Sequence, residues 1–374
     1  MIIAIFGHDA NNTGLKRRIS SMQSLGHQIV GLTMHRGDET STPWRNHDLG
    51  KTYDGRLFHR ALGITRAART AAGIEELKMA DIIWARNLDM LAIAAEAKRQ
   101  SKSTAPIVYE TLDIHRLMTG AGALSTLMRR LERFFLKRAD RIVVSSPAYV
   151  REYFDKVHPG HPPATLIENR LLPVNLPPRP ELHQHDGPLR LGWVGVLRCA
   201  RSFRVLQDIA RTAEGAIEVH LHGIAAPVQL PDFDEKVAAT PHMTYHGPYR
   251  APDDLGGVYG QIDVVWSGDY FQSRGGPVAV DNSRWSLTNR LYQGGYFGVP
   301  AIVPEETEMA HWVTDKATGL TVAEPIEENL LPLLYGLNGE KRHVLRASVL
   351  AAPREVFVDD GQDLADLLEQ VSKD

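Results

Sequence analysis

The chain has 374 residues, which is long for a single core, and its 43% hydrophobic and 23% charged residues are typical of a folded globular protein. Residues 1–180 hold 26 basic and 17 acidic side chains, whereas residues 181–374 hold 16 and 28, so a basic half precedes an acidic half. One cysteine excludes an internal disulfide and a cysteine-rich metal site, and no apolar run reaches the roughly 18 residues of a membrane span.

Strand and helix patterns alternate along the first half. The opening run MIIAIFG has no basic segment before it and no cleavage pattern after it, so it predicts a buried strand rather than a signal peptide. The predicted strands are 2–6, 28–33, 82–85, 107–109, 141–145 and 166–167. The predicted helices are 15–25, 60–72, 90–99, 124–138 and 149–154. This alternation indicates βαβ units around a parallel sheet.

A proline-rich segment, LLPVNLPPRPELHQHDGPLR, divides the chain and predicts an inter-domain linker. The strands predicted after it are 191–195, 217–221, 243–246, 264–266 and 301–303, and the helices are 203–213, about 287–297 before Gly298, and 363–371. We expect an N-terminal domain of residues 1–175, a linker of 176–190, a C-terminal domain of 191–355, and a C-terminal helix in 356–374 able to pack back towards the N-domain. Two doubly wound domains of this kind would face each other across a cleft, and ligands bind at the carboxyl ends of such strands.

Segments along nearly the whole chain resemble the GT-B glycosyltransferases, particularly family-4-like enzymes and bacterial exopolysaccharide transferases. LGWVGVLRCARSF resembles the strand and loop in which a basic pair reaches the nucleotide diphosphate, and IEVHLHG and MTYHGPY resemble the following strand with its glycine turn and the loop near the base. QIDVVWSG and TNRLYQGGYFGVPAIV resemble the strand and helix beside the nucleotide-sugar. LERFFLKRADRIVVSS and IENR resemble the end of the N-domain and the start of the linker. The shared order of these motifs makes the resemblance specific.

The resemblance implies a nucleotide-sugar donor, most simply UDP-linked, bound by the second domain. Arg290 takes the family's basic position at a helix start, where N–H groups and the dipole favour anions, and it can pair with a phosphate in a bidentate way. Gln293 takes the place of a glutamate that binds ribose hydroxyls, and its amide oxygen can accept the same bonds. The other expected donor-binding residues are Arg198, Arg201, His222, Gly223, Tyr249, Asp269 and Asn289. The alternative is that these arginines are solvated and that the polar residues cap the helix.

The mechanism expected from the resemblance is inversion. Many retaining family-4 enzymes carry Glu-x7-Glu, but Trp285 and Gln293 stand in those places here. Inversion needs one general base on the acceptor side. In IVYETLDIHRLMTG, directly after a predicted strand, we expect Asp113 to be that base, with His115 as the second candidate. Alternatively, Asp113 caps a helix that begins near His115.

The acceptor is expected to bind at loops of the first domain. The expected acceptor-binding residues are His8, Asn11, Asn12, Arg86 and Glu110. The alternative for the first loop is an ordinary polar turn in which Thr13 caps the helix. The helix at 124–138 has the apolar and basic faces of an interfacial helix. We expect its apolar face in the domain core, with the basic face available to an anionic membrane.

The expected function is transfer of a sugar to a lipid-linked saccharide in bacterial polysaccharide assembly, without a cofactor or metal, in the cytoplasm or on the inner face of the plasma membrane. One alternative is a catalytically silent subunit that binds nucleotide-sugar or glycan and scaffolds a partner. Another is a retaining transferase or a sugar-nucleotide epimerase on the same fold. Nucleic acid is not expected, because the basic residues are not interleaved with aromatics. A Rossmann dehydrogenase is not expected either, because FGHDANNTG lacks the G-x-G-x-x-G turn.

Overall fold

The structure, a computed structural model, describes residues 1–35, 42–51, 57–182, 187–269 and 282–373. These residues form two compact units. One unit holds residues 1–168 and 361–373, and the other holds 169–269 and 282–360. Arg179, in the segment expected to be a linker, donates to the backbone oxygens of Tyr296, Val349 and Ala352. This part of the proline-rich segment is therefore tied into the second unit.

The first unit is built on a seven-stranded parallel sheet in the order β3-β2-β1-β4-β5-β6-β7. Its strands are β1 (Ile2–Gly7), β2 (Gln28–His35), β3 (Arg45–Lys51), β4 (Ile82–Arg86), β5 (Ile107–Thr111), β6 (Arg141–Val144) and β7 (Ala164–Leu166). Its helices up to residue 168 are α1 (Thr13–Ser24), α2 (Leu57–Ala72), α3 (Glu75–Lys78), α4 (Leu88–Ser101), α5 (Arg116–Thr119), α6 (Ala123–Leu136) and α7 (Asp155–Val157). A π-helix spans Tyr149–Phe154.

The second unit is built on a six-stranded parallel sheet in the order β10-β9-β8-β11-β12-β13. Its strands are β8 (Leu189–Leu197), β9 (Ile217–Ala225), β10 (Met243–Tyr245), β11 (Val264–Trp266), β12 (Ala301–Pro304) and β13 (Gly319–Val322). Its helices are α8 (Ala200–Thr212), α9 (Phe233–Ala238), α10 (Leu255–Gly260), α11 (Asn282–Trp285), α12 (Asn289–Tyr296), α13 (Glu308–Lys316), α14 (Ile326–Tyr335) and α15 (Gly339–Ala351). A 3-10 turn spans Arg354–Val356.

Both sheets reverse their strand order in the manner of doubly wound α/β folds. The reversal falls between β1 and β4 in the first unit and between β8 and β11 in the second. Ligands of such folds bind outside the carboxyl ends of the strands beside this point. The segments that follow β1, β4, β8 and β11 are therefore where a site is expected.

The C-terminal helix α16 (Gln362–Lys373) belongs to the first unit. Its buried residues join the core that lies against β1 and α1, and they are Leu364, Leu367, Leu368 and Val371. The helix thus completes a core whose other members lie in residues 3–167. Among the helices described, none combines the length and the apolar character that crossing a bilayer requires.

The helix α6 carries its apolar stripe on the outside. Four large side chains spaced along one face are 39–53% exposed, and they are Leu124, Leu127, Leu131 and Phe134. The expectation that this face lies in the domain core is therefore wrong.

The buried residues of α6 are Ser125, Glu132 and Leu136, and the contacts of Glu132 explain the orientation of the helix. Glu132 is 2% exposed and accepts hydrogen bonds from Tyr109 at 3.2 Å and from Tyr153. His158 Nε2 lies 2.8 Å from the same carboxylate. These contacts fix the helix with Glu132 inward, because a buried carboxylate needs such partners.

Candidate donor and acceptor sites

Arg290 is anchored at the start of α12, the helix that follows the reversal in the second sheet. Its side chain is buried, and Nη1 donates to the backbone oxygen of Trp266 at 3.0 Å. Its Nη2 forms an ion pair with Asp269. These contacts fix the guanidinium at the carboxyl end of β11. The side chain of Thr288, directly before α12, makes no capping hydrogen bond, and Asn289 is exposed in the first turn.

Gln293 and two tyrosines lie around Arg290. Tyr259 donates from its hydroxyl to Oε1 of Gln293 at 3.3 Å. Burial raises the pKa of Tyr249, with Arg290 opposing this shift, and burial raises the pKa of Tyr259 well above its usual value. Both phenols therefore keep their protons at neutral pH. Oε1 of Gln293, which we expected to accept from a ligand, already accepts one hydrogen bond from Tyr259, and an amide oxygen can accept a second.

Three glycines with positive φ lie near the carboxyl ends of neighbouring strands, two of them within the last residues of the strand and one after it. Gly195 in β8, Gly223 in β9 and Gly247 after β10 have φ of 110°, 124° and 81°. A Cβ on Gly223 would lie 1.8 Å from the backbone oxygen of Gly195, whereas a Cβ on Gly195 or Gly247 would meet no atom within 4 Å. The backbone at Gly195 and Gly247 therefore leaves room for a ligand to approach closely.

His222 lies inside a group of three histidines. It is buried, and its ring stacks on His246 with centroids 4.2 Å apart and planes at 5°. Burial, together with the neighbouring His246 and His220, lowers the pKa of His222 to about 4, so the ring is neutral at pH 7. We expected His222 to bind the donor, but the sequence did not predict that it would lie in a group of three histidines.

Arg198 and Arg201 have different surroundings. Arg201 makes four hydrogen bonds of 2.7–3.0 Å to the carboxylates of Glu324 and Glu327. The hydrogen bonds from Arg201 hold the pKa of Glu327 at about 2. The charge of Arg201 is therefore balanced by two carboxylates. Arg198 is exposed in the loop between β8 and α8.

Glu110 is the centre of a buried charge cluster in the first unit. It is 1% exposed, and Oε1 accepts from Nε of Arg18 at 3.0 Å. Oε2 accepts from Nε1 of Trp84 at 2.8 Å and lies 2.7 Å from Nε of Arg86. Burial by itself would raise the pKa of Glu110, but Arg18 and Arg86 outweigh it and hold the pKa below its usual value.

The two expected acceptor-binding residues of this cluster, Arg86 and Glu110, are therefore buried. Arg86 is 3% exposed, and its guanidinium lies beside the start of α1, 3.2 Å from where a Cβ on Gly14 would stand. The cluster thus lies against the first turn of α1. Glu110 positions the two arginines, whereas we had expected it to contact the acceptor directly.

The other expected acceptor-binding residues lie in the loop that follows β1. Asn12 caps α1, because its Oδ1 accepts from the backbone N–H of Leu15 at 2.9 Å, and Thr13 is not the cap. His8 Nδ1 lies 3.2 Å from the amide nitrogen of Asn87, in the loop after β4. Asn11 is exposed. The structure therefore brings His8 next to the loop after β4 and leaves Asn11 on the surface.

Asp113 and His115 lie in the loop between β5 and α5, and both are exposed. His115 caps α5, because its Nδ1 accepts from the backbone N–H of Leu117 at 3.2 Å. A neutral histidine that accepts at Nδ1 carries its proton on Nε2. In this arrangement the outer nitrogen of His115 is a donor. The cap that we considered for Asp113 is thus supplied by His115.

Three contributors to these sites were not expected from the sequence: Arg18, Trp84 and Tyr259. Arg18 stands in the run LKRR and suggests a surface charge. The helical period nevertheless places it on the buried face of α1 with Leu15, Ile19 and Met22. That period is the signal that would have found it.

The comparisons with known proteins agree with this architecture. The profile of the Glycosyl transferase 4-like domain matches residues 13–170. Succinoglycan biosynthesis protein ExoL of Rhizobium meliloti (strain 1021) is 32% identical over 348 residues, which cover 89% of this chain and 83% of ExoL. Anabaena Alr3699/HepE in complex with UDP and glucose superposes with a TM-score of 0.73 at 13% identity, covering 99% of this chain and 100% of that one. The apo form of the lipopolysaccharide outer core galactosyltransferase WaaB gives 0.65 at 13% identity, covering 99% of both chains.

The fold defines the class: two parallel-sheet α/β units with the GT-B architecture of glycosyltransferases. The chain belongs to the family-4-like glycosyltransferases of exopolysaccharide biosynthesis, and it is an enzyme of that class. The alternative of a catalytically silent scaffold thereby loses its support.

Proposed function

We propose that this glycosyltransferase moves a sugar from a UDP-sugar to a saccharide carried on a lipid, during assembly of a bacterial polysaccharide. The observation that carries the donor half is the fixed guanidinium of Arg290 at the start of α12, beside Gln293 and Tyr249. A diphosphate at this place would meet a cation and the N–H groups of a helix start. HepE, which shares the fold, has been solved with UDP and with UDP-glucose, and this supports uracil as the base of the donor.

The proposed reaction is an inverting displacement. The acceptor hydroxyl attacks the anomeric carbon, the bond from that carbon to the phosphate oxygen breaks, and UDP leaves. Asp113 takes the proton of the attacking hydroxyl. Asp113 is favoured over His115 because the outer nitrogen of His115 already carries a proton while Nδ1 caps α5. Trp285, 4% exposed, and Gln293 leave no carboxylate in the two places of the retaining pair.

The leaving diphosphate is balanced by protein groups in this proposal, without a metal ion. Arg290, Arg198 and the start of α12 supply the positive charge. Arg290 would then exchange part of its contact with Asp269 for a phosphate oxygen. We expect the rate of sugar transfer to be the same in the presence of a chelator as in the presence of Mg²⁺. A requirement for Mg²⁺ would refute the proposal that protein groups alone balance the diphosphate.

The donor site is tested by UDP affinity in Arg290→Gln, compared with Arg284→Gln as a matched control. Arg284 is half exposed and pairs with Glu306, so its loss should leave affinity unchanged. Arg290→Gln should weaken UDP binding about tenfold to a hundredfold, the worth of hydrogen bonds to a charged group. Calorimetry with UDP, GDP and ADP measures both the effect and the base preference. Equal UDP affinity in the two variants would refute the donor site.

The base is tested with Asp113→Asn and, as its control, Asp155→Asn, an exposed aspartate beside His161. Asp113→Asn should lower kcat about a hundredfold or more while UDP affinity is unchanged. NMR of the product then gives the anomeric configuration. Retained configuration would refute inversion, and unchanged kcat would refute Asp113 as the base.

The acceptor half of the proposal places α6 on an anionic lipid surface, at the inner face of the plasma membrane. Its four exposed apolar side chains form one stripe, and four exposed basic side chains, Arg130, Arg133, Lys137 and Arg138, lie beside it. Glu132, the one acidic residue of α6, is buried. An apolar stripe with an adjoining basic face suits the headgroup region, where each basic side chain contributes about 1 kcal/mol.

Flotation with anionic and zwitterionic vesicles tests this contact. The pair Leu127→Glu and Phe134→Glu should lower binding to anionic vesicles at least about tenfold, because two anchors are lost and two repelled charges gained. Val344→Glu, on the exposed side of α15, is the matched control. Equal flotation of both variants would refute the contact. The contact would also be refuted if the wild type did not bind vesicles and formed a dimer that the α6 variants convert to a monomer.

A further inference from the structure

Three histidines meet at the outer edge of the second sheet, on β9 and directly after β10. His220 and His222 stand two residues apart in β9, so they point to the same face. The parallel pairing of Leu221 with Tyr245 brings His246 beside His222. Nδ1 of His220 lies 3.0 Å from Nε2 of His246, and one nitrogen from each of the three rings lies within 4.8 Å of the others.

The hydrogen-bonding capacity of this group is poorly used. The His220–His246 contact is one bond, in which one ring donates and the other accepts. Nε2 of His222 is buried without a hydrogen-bond partner among the described residues, and His222 is 3% exposed. A buried polar atom without a partner is unfavourable, so a ligand that takes lone pairs would relieve it.

We propose that His220, His222 and His246 form a binding site for a divalent transition metal of the zinc class. Three neutral imidazoles are a donor set that suits zinc, copper, cobalt and nickel, whereas Mg²⁺ prefers oxygen ligands. Zinc–nitrogen bonds of 2.0–2.1 Å place tetrahedral ligand atoms about 3.3 Å apart, close to the separation of His220 from His246. The exposed side of His246 leaves the fourth position to water.

A carboxylate stands behind one of these ligands. Oε2 of Glu218 lies 3.6 Å from Nε2 of His220, the ring nitrogen that faces away from His246. Metal-bound histidines commonly donate their other N–H to a carboxylate, which fixes the tautomer and aims the free lone pair at the metal. Glu218 is placed to do this for His220.

Metal binding requires one local movement. The rings of His222 and His246 are stacked and nearly parallel, so their in-plane lone pairs do not converge on one point. His246 is exposed and can turn about its side-chain torsions, while the buried His222 stays in place. The metal would then join β9 to β10, a three-residue strand at the sheet edge, and fix the start of the segment that leads to Tyr249.

The experiment uses the full chain without an affinity tag, freed of metal by a chelator. Titration with Co²⁺, followed by the visible absorption of a tetrahedral site, should give one equivalent per chain, and Zn²⁺ should displace it. His246→Ala and His220→Ala should lower the affinity at least about tenfold, the smallest effect expected when a ligand is removed. His311→Ala, an exposed histidine on α13, is the matched control and should bind as the wild type does.

A second readout separates metal binding from folding. Zn²⁺ should raise the melting temperature of the wild type and of His311→Ala, and should not raise that of His246→Ala, while Mg²⁺ should raise none of them. His246→Ala should keep the metal-free melting temperature of the wild type, because the side chain is exposed. Less than one equivalent of Co²⁺, or equal affinity in His246→Ala and His311→Ala, would overturn the proposal.

Discussion

Glu110→Gln tests the buried charge cluster of the first unit. The amide keeps the size of the side chain but removes its charge, so Arg18 and Arg86 stay buried and lose the carboxylate that pairs with them. The two carboxylate oxygens together face two hydrogen-bond donors and two further guanidinium nitrogens at 2.7–3.0 Å. The amide NH₂ must replace one of these oxygens and then faces a donor. Removing one partner of a buried ion pair costs about 3–5 kcal/mol, a large part of a typical stability of about 5–15 kcal/mol.

The assay is urea unfolding of Glu110→Gln beside Glu96→Gln. Glu96 pairs with Arg99 on the surface of α4, and the hydrogen bonds from Arg99 and Gln100 lower its pKa to about 2. An exposed pair of this kind contributes at most about 1 kcal/mol. The two variants lose the same charge and differ in burial. A loss below about 1 kcal/mol in Glu110→Gln, equal to that of Glu96→Gln, would refute the account of the cluster.

The pH dependence of the same variant has a defined sign. The pKa of Glu110 in the folded state lies below its usual value of 4.5, so its ionised form stabilises the fold above that pH. This contribution is lost as the pH falls through the folded-state pKa. The stability difference between the wild type and Glu110→Gln should therefore be constant near neutral pH and shrink in acid. A difference that grows in acid would contradict this.

Two further comparisons test other parts of the second unit. Gly247→Ala should cost about 1–2 kcal/mol of unfolding free energy from left-handed strain alone. Gly223→Ala should cost more, because its Cβ would lie 1.8 Å from a backbone oxygen. Equal losses of stability in urea unfolding would contradict this close approach. Arg201→Met should leave UDP affinity unchanged and return the pKa of Glu327 from about 2 towards its usual value, which NMR titration measures. Arg198→Met should weaken UDP binding. The reverse order of UDP affinities would contradict the proposal that Arg198, and not Arg201, contacts the diphosphate.

Much of the fold follows from hydrophobic pattern alone. β11 and the first four residues of β4 are short apolar runs in which every residue is buried, which is typical of central strands in parallel sheets. β3 was not predicted, because RNHDLGK lies at a sheet edge and Leu49 is its one buried residue. β13 was not predicted either, since Gly319 opens a four-residue strand that is mostly half exposed. Edge strands bury little, so they leave little pattern to find.

The sites were harder to predict than the fold. A helix start with Arg290 could be found from local sequence, because the position relative to a strand and a turn is local information. The partners that decide the role of a polar or charged side chain are distant in sequence. They are Arg18 for Glu110, Glu324 for Arg201 and Tyr259 for Gln293. Local pattern gave α6 its two faces. It did not show which face the buried Glu132 would turn inward.

The packing of α16 affects the order in which the two units can fold during synthesis. The first unit draws core residues from both β1 and α16, and the whole second unit lies between them in sequence. Domains generally fold from the N-terminus as they leave the ribosome. Here the apolar surface against β1 stays uncovered until α16 has emerged, so the second unit can fold before the first is complete. A chain that is cut before Gly361, or that stalls there, would display this surface to chaperones and proteases.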